Sequence, residues 1–265
     1  MVIVYQVKII QLAINDHDSR SDRFKRVESY LEQIMAEDGR PVMIMLPEIW
    51  GTGFFNFDRY NRECEPLQGE TYTRMASWAE KIGSYILAGS IIEKEGHDLF
   101  NTALLINPNG SLAGSYRKIH LFGYKSKESA LLTAGSDLYA LKTKYGTWGI
   151  SICYDLRFPE LYRKMIGVGV DTFFIVSAWP EARLGHWILF NRVRALENLC
   201  NLVSCNGAGN HGGCVLGGSS MVVDPRGDII AMAGKGEELL SAEIDPQKVF
   251  EVRAEFPALD DRTID

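Results

Sequence analysis

The chain has 265 residues, with 28 lysines and arginines against 34 aspartates and glutamates, for a formal net charge of −6. No lysine/arginine block stands out, which argues against a reader of the nucleic-acid backbone. No apolar run approaches the roughly 20 residues that span a bilayer. With 46% hydrophobic residues the chain is long enough to bury a large core, and we read 1–265 as one domain.

Met1 to Leu12 lacks a basic stretch followed by a cleavable apolar core, so it reads as a first strand rather than a signal peptide. The five cysteines, at 64, 153, 200, 205 and 214, are odd in number and widely spaced. That argues against a disulfide framework and fits a reducing, cytoplasmic setting. There is no CxxC pair and no HExxH, so neither a metal nor a cofactor is expected.

In chain order, Val4 to Ala13 is strand-like. Asp16 to Glu37 reads as a helix whose Phe24, Val27, Leu31, Ile34 and Met35 share a face at three- and four-residue spacing. Val42 to Leu46 is the next apolar strand. Ile49 to Glu63 is irregular and aromatic, with Trp50, Phe54, Phe55, Phe57 and Tyr60. It lines or covers a pocket, or packs as a satellite core. Gly69 to Lys81 is helical, with Met75, Trp78, Ala79 and Ile82 on one face. Strands follow at Tyr85 to Ile92 and Phe100 to Ile106, and the turn Asn107-Pro108-Asn109-Gly110 folds the latter onto Ser111 to Tyr116. Leu121 to Thr133 is loop with a short turn around Glu128.

Leu138 to Leu141 and Thr147 to Cys153 are strands. Pro159 starts a helix that runs to Met165. Thr172 to Ser177 is a buried strand. Arg183 to Leu199 is a long helix with Trp187, Phe190, Val193 and Leu196 near one stripe, Arg194 flanking it. Leu202 to Asn206, Ser220 to Val223, Asp228 to Met232 and Leu239 to Ile244 are further strands, and Gly207 to Gly218 is a glycine-rich loop. Gln247 to Glu255 is a short helix, and Phe256 to Asp265 a tail. Strand–helix units alternating with hairpins give mixed sheets. Two stacked sheets with helices outside satisfy the pattern, and a single doubly wound sheet does so almost as well.

Three chemically capable residues sit just beyond apolar strands: Glu48, Lys118 and Cys153. If those strands are neighbours with aligned edges, the side chains converge. A thiol needs help to attack at neutral pH. A carboxylate can take its proton and return it to a leaving amine, and an ammonium can stabilise an oxyanion. That chemistry fits attack on an amide or nitrile carbon. Taken singly, each has a plainer reading: an inert core cysteine, a capping or ion-paired glutamate, a surface lysine.

Leu46-Pro47-Glu48, Tyr116-Arg117-Lys118-Ile119-His120-Leu121 and Ile152-Cys153-Tyr154-Asp155-Leu156-Arg157-Phe158-Pro159-Glu160 resemble, in order, the three signature segments of the carbon–nitrogen hydrolase (nitrilase) superfamily. The resemblance implies a four-layer α-β-β-α sandwich of two mixed sheets flanked by helices. It also implies Glu48 as general base, Lys118 as stabiliser of the tetrahedral intermediate and Cys153 as nucleophile. Glu128 fits the second glutamate that orients the lysine. The backbone N–H of Tyr154 would join Lys118 in holding the oxyanion. Asp155 and Arg157 are expected as local turn and ion-pair residues. The family usually pairs across the helices after the cysteine strand and the next strand, so a homodimer is expected, with a small amide and water as the other partners.

Leu46 to Phe54, Ser177-Ala178-Trp179-Pro180, Arg192 to Asn198 and Phe256 to Arg262 resemble the ω-amidase-like branch, which includes 2-oxoglutaramate amidases. Its members hydrolyse the terminal amide of short dicarboxylic monoamides and release ammonia. On this reading Arg183 forks onto the substrate's distant carboxylate, unless it is a surface or dimer-contact residue. Phe54, Phe57 and Trp179 wall the methylene chain or are ordinary core aromatics. His186 is structural or touches the carboxylate. Many relatives carry a glycine–histidine–serine run where this chain has Gly218-Ser219-Ser220, a departure expected near the active-site rim together with the His211 loop. Rival activities are hydrolysis of N-carbamoyl compounds, deaminated glutathione or nitriles. A rival of another class is a catalytically silent binding or scaffold protein on the same fold.

Overall fold

The computed structural model describes residues 3–263; Met1, Val2, Ile264 and Asp265, the extreme ends of the expected first strand and tail, lie outside it. Among the described residues fourteen strands are distributed over two six-stranded sheets and one small hairpin. The first sheet has the order β14 (Glu238–Ile244), β1 (Tyr5–Gln11), β2 (Met43–Met45), β3 (Tyr85–Glu95), β4 (Asp98–Ile106), β5 (Leu112–Arg117). The second has the order β13 (Ile229–Met232), β12 (Met221–Val223), β9 (Asn201–Asn206), β8 (Thr172–Ser177), β7 (Gly146–Ile152), β6 (Tyr139–Thr143).

The sheets stack face to face, with β1 against β9, β3 against β8 and β4 against β7. Strand alternation sorts the side chains. Val7, Ile9, Met43, Met45, Leu87, Ala103 and Leu105 share one core with the second sheet. Their alternates Ile10, Ile44, Ile86, Ala88, Leu104 and Ile106 belong to a second core with the helices α1 (Arg20–Ala36) and α3 (Glu70–Ile82). On the far side α5 (Pro159–Gly167) and α6 (Leu184–Asn198) cover the second sheet through Leu161, Tyr162, Met165 and Trp187. The two-sheet reading therefore holds and the single-sheet alternative does not.

Helix α1 starts later than the apolar periodicity indicates. Ser19 is its N-cap, and Asp22 completes a capping box, a device of about 1 kcal/mol. Met35 is 50% exposed, one residue off the buried stripe. In α6 the buried face is Trp187, Asn191, Arg194, Ala195 and Asn198, whereas Leu196 is half-exposed. Local carbonyls receive the N–H groups of the polar members: Asn191 donates to Trp187 O at 2.8 Å, and Arg194 Nε to Leu156 O at 3.0 Å. A hydropathy stripe does not detect such positions. The glycine-rich loop carries a small hairpin, β10 (Asn210–His211) and β11 (Cys214–Val215). All five cysteines are free, and among the described residues no helix is long and apolar enough to cross a membrane.

Topology explains why chemistry collects at one rim. β1, β2 and β3 run parallel in one sheet, and β7, β8 and β9 in the other. β4 runs antiparallel to both β3 and β5, so β5 points the same way as β3. The segments after β2, β5 and β7 thus all leave from carboxyl edges. The three strands are not neighbours, as the sequence reading supposed: β3 and β4 separate β2 from β5, and β7 lies in the opposite sheet. Convergence occurs across the gap between sheets.

Candidate active site

Glu48 follows β2 at a sharp turn. Ile49 adopts φ +44°, and its N–H donates to Ser90 Oγ at 3.0 Å. Gly89 makes the turn fit: its φ is +69°, and a Cβ there would meet Pro47 O at 2.0 Å. The Glu48 carboxylate is fully buried. Its Oε1 accepts from Lys118 Nζ at 2.8 Å and Asn101 Nδ2 at 2.8 Å, and its Oε2 from the Ala178 N–H at 2.8 Å.

Lys118 is equally buried and also donates to Glu128 Oε1 at 2.9 Å and Oε2 at 3.0 Å. Glu128 opens a short helix, α4 (Glu128–Leu131), and accepts from Asn101 Nδ2 at 2.9 Å and the Phe122 N–H at 2.7 Å. Burial works against the charged lysine, but Glu128 and then Glu48 outweigh it and raise its proton affinity above the ordinary value. Burial raises the Glu128 carboxyl as well; Lys118 opposes that shift and Glu48 adds to it.

Cys153 leaves β7 in a left-handed conformation, φ +47°, and opens a 3₁₀ turn through Arg157. Asp155 ties that turn down. Its Oδ2 accepts from Tyr116 Oη at 2.8 Å and the Ile152 N–H at 3.0 Å, and its Oδ1 from the His120 N–H at 3.0 Å. Strained non-glycine residues at such a corner collect at functional sites. Burial, then Glu48, push the thiol well above its ordinary range, while Lys118, the Ser177 hydroxyl and the Ala178 N–H pull the other way. The resting thiol therefore holds its proton. The Ala178 N–H that donates to Glu48 Oε2 is also among the groups acting on the sulfur, so carboxylate and thiol share that neighbour. A carboxylate so placed can accept a thiol proton.

Residues 6–254 match the carbon-nitrogen hydrolase family. A 2-oxoglutaramate amidase from Paenarthrobacter nicotinovorans is 36% identical over 98% of this chain and 90% of its own length. Omega-amidase NIT3 from Saccharomyces cerevisiae is 31% identical over 98% and 94%. Among solved structures, XC1258 from Xanthomonas campestris, a CN-hydrolase superfamily protein with an arsenic adduct in its active site, superposes with a TM-score of 0.90 at 29% identity, over 100% of this chain and 99% of that one.

The chain belongs to the carbon–nitrogen hydrolase family.

This carbon–nitrogen hydrolase is a cysteine-dependent enzyme with the two-sheet sandwich of its relatives. Its cysteine opens onto a cleft of ≈ 330 Å³ lined by Phe54, Phe55, Phe122, Cys153, Tyr154, Arg157, Ala178, Trp179, Pro180 and Arg183. Phe54, Trp179 and Arg183 are thus in the lining. Phe57 is not: it packs behind the wall, against Phe54, Phe55 and Tyr60, and Phe55 and Phe122 line the cleft in its place. His186 stays outside, exposed, with Nδ1 3.3 Å from Arg157 Nη2.

Among the described residues Arg157 forms no ion pair, contrary to expectation. It lies against the rings of Trp179 and Phe190, at 4.9 and 5.1 Å, and lines the cleft. Arg183 lies over Phe122 at 5.3 Å. Among the described residues neither guanidinium has a carboxylate within ion-pair reach.

Gly218-Ser219-Ser220 is not at the rim but one layer behind it. Ser219 O accepts from Trp187 Nε1 at 2.8 Å, and Gly218 O from Asn206 Nδ2 at 2.8 Å. His211 is buried under the aromatic loop, against Gly53 and Phe55. Asn101 was missed, although its sequence signal was available: an asparagine inside the apolar run Leu99-Phe100-Asn101-Thr102-Ala103-Leu104 needs a polar partner wherever that strand is buried.

Proposed function

We propose that the protein hydrolyses the terminal carboxamide of a short dicarboxylic monoamide, of the 2-oxoglutaramate or succinamate type. The observation that carries the substrate class is the cleft mouth. Arg183 and Arg157 stand there half-buried, with aromatic walls around them and no acidic side chain in the lining. Two like charges without a counter-charge are costly in a partly desolvated place, and an anionic substrate supplies the missing partner. The aromatic walls suit a short methylene chain. The relatives named 2-oxoglutaramate amidase and omega-amidase support the same class.

In the proposed mechanism Glu48 Oε2 takes the Cys153 proton as the sulfur attacks the amide carbon. The carbonyl electron pair moves onto oxygen, where Lys118 and the Tyr154 N–H receive it. Glu48 returns the proton to the amide nitrogen, the C–N bond breaks, and ammonia leaves a thioester on Cys153. Water then attacks the thioester and gives a proton to Glu48; the C–S bond breaks and the sulfur recovers that proton. Glu128 holds Lys118 in place throughout. A thiol that is neutral at rest requires this coupled transfer rather than a preformed thiolate.

Val168, Leu189 and Leu196 expose apolar side chains on and beside α5 and α6, which supports pairing of two copies through that face. Five free cysteines suit a reducing, cytoplasmic compartment.

The test is ammonia release across 2-oxoglutaramate, succinamate, an uncharged short amide, deaminated glutathione, a carbamoyl amino acid and a nitrile. Arg183→Ala should raise KM for the carboxylate-bearing amides about 10- to 100-fold, the worth of a charge-assisted pair. It should change KM for the uncharged amide less than 3-fold, on the order of a packing loss alone. Equal effects on both would remove the carboxylate role.

A further inference from the structure

Asn101 sits in β4 opposite Ile92, fully buried. A primary amide has two N–H hydrogens, and here each goes to a different carboxylate: Glu48 Oε1 at 2.8 Å and Glu128 Oε1 at 2.9 Å. Among the described residues the amide oxygen has no partner. Flipping the amide would set that oxygen against two carboxylate oxygens and strand both hydrogens, so the orientation is fixed by the network. The main-chain carbonyl of the same residue accepts the Lys118 N–H at 2.8 Å.

We propose that Asn101 is a positioning residue that dictates which oxygen of Glu48 carries the proton. Glu48 Oε1 receives two hydrogens, from Lys118 and Asn101, and has no room for a third. Oε2 receives one, from the Ala178 N–H, a group that also acts on the Cys153 sulfur. The thiol proton therefore goes to Oε2, where it can be handed to the leaving nitrogen. Without Asn101, Oε1 has a free lone pair, and the proton can rest on the side facing away from the substrate. Asn101 also donates to Glu128, a bond that favours the charged form of that carboxylate against the upward push of burial. The other ionisable groups facing this cluster are Lys118, Cys153 and Tyr60. This inference rests on Glu48 being the base.

The experiment compares Asn101→Ala, Asn101→Ser and Glu48→Gln in the full chain, on the amide that the wild type turns over best. Asn101→Ala should lower kcat at least 30-fold with KM changed less than 3-fold. A donated hydrogen bond favours the charged form of a carboxylate, so removing this donor from the two-carboxylate cluster should move the acidic limb of kcat against pH to higher pH. Asn101→Ser, which keeps one hydroxyl donor, should recover part of both effects. It carries the test by itself if thermal melting shows that the alanine variant does not fold. A folded Asn101 variant with kcat within 3-fold of wild type, or with kcat reduced but the limb unmoved, overturns the proposal. If Glu48→Gln keeps wild-type kcat, the base assignment fails independently. If Glu48→Gln is inactive and the Asn101 variants are normal, only the present inference fails.

Discussion

The floor and the mouth of the cleft treat charge in opposite ways. At the floor Glu48, Lys118 and Glu128 are fully buried, and each touches the next at 2.8 to 3.0 Å. Asn101, Ala178 and Phe122 complete that cluster with neutral donors. At the mouth Arg157 and Arg183 rest on aromatic rings and have no acidic partner among the described residues. Buried ions survive only when paired and hydrogen-bonded, so the floor is complete before any ligand arrives. The mouth is completed by what binds. On our reading the reaction belongs to the floor and the choice of substrate to the mouth, and the two should respond to different perturbations.

The strongest way to break that division is at the sulfur. Cys153→Ala and Cys153→Ser should fold, because the side chain makes no bond that holds the corner; Asp155 does that. Hydrolysis should fall by roughly 10⁴-fold or more, the scale on which loss of a catalytic nucleophile is felt. Substrate binding at the mouth should persist, measurable by calorimetry on the alanine variant. Near-wild-type turnover by both variants, with contamination controlled, would remove the cysteine mechanism.

Glu48→Gln separates turnover from thiol acidity. Loss of the base should lower kcat about 10²- to 10⁴-fold. Yet the Glu48 charge helps to hold the Cys153 thiol above its ordinary range, and removing it favours the thiolate. Iodoacetamide should therefore alkylate Cys153 faster in the variant at pH 8, on the order of 10-fold for one pKa unit. Unchanged or slower alkylation of a folded Glu48→Gln protein would mean that the thiol does not feel this carboxylate.

The floor was far more legible in the sequence than the mouth. Glu48, Lys118 and Cys153 each end an apolar strand, and their ordered segments pointed to one family. Glu128 needed that resemblance, since its local context is only loop. The stacking of the sheets was open from periodicity alone, because one doubly wound sheet also buries both faces of its strands. The mouth depends on which side of a loop faces in, and loops have no period. Phe55 and Phe57 are two residues apart in an aromatic run, yet only Phe55 reaches the cleft. Arg157 looked like half of an ion pair because its partners, Trp179 and Phe190, come from distant segments and are not acidic. In α6 backbone carbonyls receive the N–H groups of the buried polar residues Asn191, Arg194 and Asn198, a contact that no hydropathy stripe registers.

Ionic strength gives the smallest effect and the most direct contrast. The Debye length falls from about 14 Å to about 6 Å between roughly 0.05 and 0.3 M salt. Half-exposed arginines drawing an anion into the cleft are screened over that range, while ions sealed in the floor are not. KM for 2-oxoglutaramate or succinamate should rise about 2- to 4-fold across it, with kcat constant within error. An uncharged short amide should show no change in either quantity, and Arg183→Ala should flatten the salt dependence for the anionic substrates. If kcat moved with salt instead, the Glu48–Lys118–Glu128 cluster would have to be open to solvent during turnover, and the separation of a sealed floor from a screened mouth would not hold.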